Sequence, residues 1–146
     1  MWFMYAVAAS VLWGASYAML DELLKKLSFA TLILYSSVAS MIFATCLGIA
    51  KNSFAPDWEI LKSGGRETKM LAVSIVIYIA ANLFIMSSIN AKNATMAAMI
   101  EITYPLFTAL FAWLLFRAVQ VNPGTLAGAA MVLAGVACIY YFGKNI

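Results

Sequence analysis

Five long runs of apolar residues, separated by short polar segments, dominate the chain. An apolar α-helix of about 20 residues rises about 30 Å, enough to cross the hydrocarbon core of a bilayer. The runs are continuous, whereas the strands of a transmembrane β-barrel would alternate apolar and polar residues. The pattern therefore predicts an all-α integral membrane protein, a five-helix transmembrane bundle in a single domain over residues 1–146. The predicted spans are residues 1–20, 29–50, 70–90, 94–116 and 124–143.

The first run also has the position of a signal peptide. It lacks a basic segment before it and a small-residue cleavage site, and its apolar stretch is too long for the core of such a peptide. We expect it to be retained as a membrane span.

Composition supports the membrane assignment. Of 146 residues, 65% are hydrophobic and 10% are charged, whereas a soluble domain has about 45–50% apolar and about 25% charged residues. A chain of this length cannot hide so much apolar surface in a water-soluble fold. The lipid bilayer is therefore the expected main partner, with the cell membrane as the location. The net charge of +3 is explained by lysines and arginines flanking the spans, so no nucleic acid is expected.

Basic residues are divided almost evenly between the two membrane faces. The face of the N-terminus would carry five, Lys51, Lys62, Arg66, Lys69 and Arg117. The opposite face would carry four, Lys25, Lys26, Lys92 and Lys144. The positive-inside rule weakly favours a cytoplasmic N-terminus. A second interpretation is dual topology, in which copies insert in both directions and pair as an antiparallel homodimer.

The sequence gives little support for a catalytic site or a metal site. The chain contains no histidine, and its two cysteines, Cys46 and Cys138, fall near opposite membrane faces. A disulfide between them, a metal site and a cofactor are therefore not expected. No nucleophile–base pair is evident either, so we do not expect an enzyme.

Glu101 is the one acid inside a predicted span. A carboxylate facing lipid costs several kcal/mol, so it should face the bundle interior or a wet cavity. Small and polar residues share its helical face, which is Ala94, Ala97, Ala98, Pro105, Thr108 and Ala112. Large apolar residues lie opposite, at Met99, Leu106, Leu110 and Leu114. The small face is predicted to point inward.

Pro105 follows Glu101 by four residues. Because proline has no N–H, the carbonyl of Glu101 loses its intrahelical partner and the helix tends to kink. A structural kink and a functional hinge beside an ionisable group are both consistent with this spacing.

Two other predicted spans have polar or aromatic faces at about the depth of Glu101 in the membrane. In the first span Trp13, Ser16 and Tyr17 share a stripe, and in the third Tyr78 and Asn82 do so. At about 1.5 Å per residue, Trp13, Asn82 and Glu101 all lie about 10–12 Å from one membrane face. If these faces converge, they form one pocket. Packing for Trp13, and interhelical hydrogen bonding for Tyr78 and Asn82, are the alternatives.

Small residues mark the fifth span. Gly124 and Gly128 form a small-xxx-small pair, and Gly135 follows seven residues later. Such positions allow close approach of helices, either within one chain or between two chains.

The longest connecting segment lies between the second and third spans. Within it, residues 57–62 follow Pro56 and precede Ser63 and two glycines. They are consistent with a short helix in the membrane interface with Trp58 in lipid, or with an ordinary loop.

Four segments resemble the EamA-like domain of the drug/metabolite transporter superfamily. They are residues 12–16 (LWGAS), 90–94 (NAKNA), 102–115 (ITYPLFTALFAWLL) and 128–136 (GAAMVLAGV). The resemblance implies half of a ten-helix transporter-like fold, and hence a homodimer. The family often has a Gly-Glu-Arg-like turn after the fourth span, where this chain has FRAV at residues 116–119. Any role of that turn is therefore in doubt here.

The resemblance implies transport of small metabolites or drugs, and we expect a small secondary transporter coupled to protons or ions. Glu101 would be the ionisable group, either binding a cationic substrate or coupling transport to protons, with Trp13, Tyr17 and Tyr78 as an aromatic wall. Ser16 and Asn82 would add polar contacts, and Pro105 would be the hinge. The alternative is a membrane subunit or scaffold that transports nothing.

Overall fold

The computed structural model describes residues 1–119 and 121–143, whose regular elements are seven α-helices without a strand. They are α1 (Trp2–Leu24), α2 (Phe29–Lys51), α3 (Phe54–Lys62), α4 (Arg66–Ala91), α5 (Ala94–Glu101), α6 (Tyr104–Phe116) and α7 (Pro123–Phe142). Lys144, counted above among the basic residues of one face, lies outside the described residues.

Five stretches are long and apolar enough to cross a membrane: α1, α2, α4, α5 with α6, and α7. The prediction of an all-α, five-span membrane protein is therefore confirmed. Two spans are longer than predicted. Helix α1 ends at Leu24 rather than Leu20, and α4 begins at Arg66 rather than Met70. The extension brings Asp21 into the last turn of α1.

Side-chain caps explain where three helices begin. Ser28, Asn93 and Asn122 N-cap α2, α5 and α7, and each side-chain oxygen accepts a hydrogen bond from the backbone N–H three residues later, at 3.3, 2.8 and 2.8 Å. These bonds satisfy donors that have no partner inside the helix. Pro123 adds a fixed φ at the start of α7, where a missing N–H costs nothing.

The chain divides into two compact units. The first contains residues 1–22 and the described part of 88–146, and the second contains residues 23–87. Within the first unit α5 packs on α7. Ala94 and Ala97 are each 4% exposed, and the side chain of Met96 lies against Gly143. The single domain expected from the sequence stays a prediction.

Few apolar side chains are covered by the chain itself. Those classed as buried among the described residues are Met86, Ile89, Ala94, Ala97 and Ala112. Most other large apolar side chains remain exposed, which in water would favour aggregation. Their exposure is explained by a bilayer, or by further protein, covering the outer surface.

Candidate functional site

A hydrogen bond joins two membrane spans of the first unit. The hydroxyl of Tyr17 in α1 donates to Oε2 of Glu101 at the end of α5, at 2.5 Å, across 84 residues of sequence. Both side chains are half-buried. The carboxylate is thus turned toward another helix of its own unit, as its cost in lipid requires.

Only the C-terminal half of helix α1 has a face that other parts of the chain cover. Residues 1–16 are all exposed, whereas Tyr17, Leu20, Asp21 and Leu24 are half-buried. The spacing of three, four and seven residues from Tyr17 places these four side chains on one face of the helix. The covered face therefore begins at Tyr17, the residue that contacts Glu101, and it includes a second acid, Asp21.

Trp13 lies beside Tyr17, on a side of the Tyr17–Glu101 pair that the chain leaves exposed. Its ring centroid lies 5.8 Å from that of Tyr17, with the planes inclined by 42°, a separation typical of interacting aromatic rings. The Trp13 side chain is 61% exposed, so the indole leaves one side of the tyrosine open. Ser16 is also exposed, about 100° around the helix from Tyr17.

Glu101 itself stands on the inward face of α5. Ala94 and Ala97 are buried on this face and Ala98 is half-buried, while Met99 is 43% exposed. For α5, the small residues therefore do point inward as the pattern predicted. Their small size allows the close packing of α5 and α7.

The fourth span is interrupted directly after Glu101. Helix α5 ends at Glu101, Ile102 and Thr103 form a turn, and α6 begins at Tyr104. Pro105 explains the break, because it has no N–H for the carbonyl of Glu101 and its ring excludes the preceding turn. The carboxylate thus stands at a helix C-terminus inside a span, where the partial negative charge of the helix favours a nearby cation or proton.

The break also changes which residues of α6 face inward. Leu106 and Ala109 are half-buried and Ala112 is 9% exposed, whereas Pro105 and Thr108 are exposed. The prediction that Pro105 and Thr108 share the inward face, with Leu106 toward lipid, is wrong. It assumed one continuous helix at 100° per residue, and the turn at Ile102 and Thr103 resets that rotation.

Tyr78 and Asn82 belong to the second unit. The side-chain amide of Asn82 donates a hydrogen bond to the backbone carbonyl of Tyr78, one turn earlier in α4, at 2.9 Å. The bond is within one helix, not between helices. The Tyr78 side chain is 67% exposed. A pocket shared by Asn82, Trp13 and Glu101 stays a prediction.

The glycines of α7 make no close helix contact within the described chain. A Cβ atom added to Gly128 or Gly135 would meet no atom within 4 Å, and one on Gly124 would approach only the side chain of Asn122, at 3.3 Å. Among the described residues, no helix therefore packs closely on Gly128 or Gly135.

The site can hold a proton or an organic cation. A carboxylate accepts several hydrogen bonds, and one Glu101 oxygen already accepts from Tyr17. Among residues 1–119 and 121–143, no three His, Cys, Asp or Glu side chains group as metal ligands would. Both cysteines are free thiols.

The sequence indicated these residues singly but not as a pair. Tyr17 and Glu101 were both candidates for one pocket, but the predicted depths grouped Glu101 with Trp13 and Asn82, because the first span was ended at Leu20. Asp21 was missed because the first span was ended at Leu20. The helix continues to Leu24, so Asp21 lies one turn from Tyr17 on the same face.

Comparison with known proteins identifies one family. The model of the EamA-like transporter family matches residues 1–141, which spans both compact units and all seven helices except the last residue of α7. No curated protein and no solved structure matches the chain.

Proposed function

The chain belongs to the EamA-like transporter family, and from this premise we propose that it is a small secondary transporter of cationic metabolites or drugs, coupled to protons. The observation that supports the proposal best is the hydrogen-bonded pair of Tyr17 and Glu101 at a break in a membrane span. An ionisable residue inside a span is costly, and in transporters such residues mark substrate or proton pathways.

Glu101 binds either a proton or a cationic substrate in this proposal. The two compete for the same carboxylate, so binding of one releases the other. This exchange couples the substrate to the proton without a metal or a cofactor. The Tyr17 hydroxyl positions the carboxylate by donating to one oxygen and leaves the second oxygen for the cation.

Trp13 contributes the recognition of organic cations. Its indole is open on one side and lies beside Tyr17. A cation placed over the face of an indole gains about 0.5–2 kcal/mol of binding free energy. An aromatic or alkylammonium cation would therefore fit better than a small hydrated ion. Tyr78 and Asn82 are further candidates for the same substrate, and Ser16 for a polar contact.

The break at Ile102 and Thr103 provides the flexing point. Alternating access in transporters often uses discontinuous helices beside the binding site. Here α5 is held by packing on α7, so α6 is the part that swings, with Pro105 at its base. Movement of α6 would open Glu101 to one membrane face and then to the other.

The working form in this proposal is a homodimer in the cell membrane, with two copies in the same or opposite orientations. Residues 1–16 of α1 are exposed although they include Ser10, Trp13 and Ser16. Gly128 and Gly135 have open space in front of them. A second copy would cover both surfaces and close the open side of Trp13.

The test is transport in proteoliposomes with an imposed proton gradient. Ethidium, a fluorescent aromatic cation, serves as the substrate probe and an internal pH dye reports protons. Wild-type protein is expected to exchange ethidium for protons, and Glu101→Gln to reduce both fluxes to background. Glu67→Gln is the matched control, because Glu67 lies exposed in the first turn of α4. Unchanged coupled flux in Glu101→Gln would defeat the proposal. Wild-type protein without flux would favour a scaffold.

A further inference from the structure

Helix α3 is confined to one face of the membrane. Helix α2 ends at Lys51 and α4 begins at Arg66, and both helices are long and apolar enough to span the bilayer. Their connected ends must lie at the same membrane face. The nine residues of α3, about 14 Å long, therefore stay at that face, and they are helical rather than an irregular loop.

The N-terminal end of α3 packs against the C-terminal end of α2. The Phe54 ring packs so closely on Gly48 that a Cβ atom there would lie 2.2 Å from the ring. Gly48 is the one residue of α2 classed as buried. Asn52 turns the chain with φ 50°, and the N–H of Ser53 donates to the Gly48 carbonyl at 3.1 Å. The position of α3 against α2 is therefore defined.

The C-terminal end of α3 is joined to the N-terminal end of α4 by a hydrogen bond. The hydroxyl of Thr68 donates to the carbonyl of Leu61 at 2.8 Å, seven residues earlier. Gly64, with φ 65°, makes the reversal between the helices, a conformation that glycine adopts without strain. Contacts at both ends therefore restrict the rotation of α3 about its axis.

Three large apolar residues of α3 lie on one side of the helix. Phe54, Trp58 and Leu61 follow the i, i+4, i+7 spacing of a single stripe and line a shallow hollow together with Ala55 and Asp57. Trp58 is 64% exposed and Phe54 is 52% exposed. Glu59 and Lys62 form an exposed ion pair, at 2.6 Å, and at 100° per residue both lie beyond the Trp58 edge of the stripe.

We propose that α3 lies in the plane of the bilayer surface, with Phe54, Trp58 and Leu61 inserted at the boundary between headgroups and acyl chains. Tryptophan is enriched at this depth, and short helices with one apolar face bind there. Lys51 and Lys69, both exposed beside α3, carry the charge that complements lipid phosphates. The partner is therefore lipid. This anchor is independent of the transport proposal, because it uses residues outside the Glu101 site.

Quenching of tryptophan fluorescence by brominated lipids tests the insertion. Trp2→Phe, Trp13→Phe and Trp113→Phe leave Trp58 as the sole tryptophan of the full chain. The matched control adds Trp58→Phe and Ile60→Trp, which moves the indole to another side of α3. Both proteins are reconstituted in vesicles of phosphatidylcholine and phosphatidylglycerol brominated near the carbonyl end of the chains, and helix content is checked by circular dichroism.

Trp58 is expected to be quenched by the brominated lipid at least about twofold more strongly than the tryptophan at position 60, in keeping with one-sided insertion. Aqueous acrylamide should show the reverse order. Equal lipid quenching at the two positions would overturn the proposal, as would a Trp58 shielded from both quenchers. The second result would mean that protein, for example a second copy, covers this face. Neither result depends on transport.

Discussion

Tyr17 and Glu101 lie 84 residues apart in the chain and are joined by one hydrogen bond between two membrane spans. The bond turns the Glu101 carboxylate toward α1 at the point where the fourth span breaks. It connects the aromatic face of α1, through Trp13, to the end of α5.

Tyr17→Phe should lower ethidium–proton exchange about 10-fold, since a hydrogen bond to a charged group contributes about 1.5–3 kcal/mol. The substitution keeps the ring against Trp13 and removes only the donor to Glu101. Initial rates over a range of ethidium concentrations measure the effect. Tyr35→Phe, at a position 73% exposed on α2, is the control and should transport normally. Full activity of Tyr17→Phe would show that the bond does not position the carboxylate.

Pro105→Ala should slow transport and raise thermal stability together. Alanine restores the N–H and removes the ring, so α5 and α6 can join as one helix. A continuous span lacks the flexing point, and turnover is expected to fall several-fold. The melting temperature in detergent and the flux are measured on the same preparation. Pro123→Ala serves as the control, because proline in the first turn of α7 costs its helix nothing. A Pro105→Ala protein with unchanged turnover would exclude the hinge.

Gly48→Ala should destabilise the protein by about 1–3 kcal/mol, the usual cost of overpacking. The added methyl group would lie 2.2 Å from the Phe54 ring, which must move. Gly14→Ala is the control, because a Cβ there meets no atom within 4 Å and alanine favours a helix by about 0.5–1 kcal/mol. Thermal unfolding in detergent compares the two. Equal melting temperatures of the Gly48→Ala and Gly14→Ala proteins would contradict the close packing of α3 on α2.

Gly128→Leu should separate a homodimer without disturbing the fold of one chain. A Cβ atom added to Gly128 would meet no atom within 4 Å in the described chain, so we expect a larger side chain there to clash with a second copy. Native mass spectrometry of protein released from nanodiscs measures the dimer fraction. Ala39→Leu, at an exposed position of α2, is the control. A monomeric wild type, or a dimer unaffected by Gly128→Leu, would contradict an interface at this face.

The sequence alone determined the membrane architecture. Five apolar runs of spanning length allow only helices that cross a bilayer, because backbone groups in lipid must be satisfied within each segment. The inward direction of Glu101 followed from the cost of a charge in lipid, and the small residues of α5 agreed with it. The interruption beside Pro105 was also foreseeable, since proline removes a hydrogen bond wherever it stands inside a helix.

Only the tertiary structure decided which residues meet. Similar depth pointed to Trp13 and Asn82 as neighbours of Glu101, whereas the packing of the helices brings the Tyr17 hydroxyl to its carboxylate. Periodicity could not foresee how far the turn at Ile102 and Thr103 rotates α6, so the inward residues there were misplaced. Whether residues 57–62 form a loop or a helix was likewise undecided, because so short a segment cannot hold a helix by propensity. The contact of Phe54 with Gly48 and the bond from Thr68 to Leu61 join α3 to the helices before and after it, and they hold it in place.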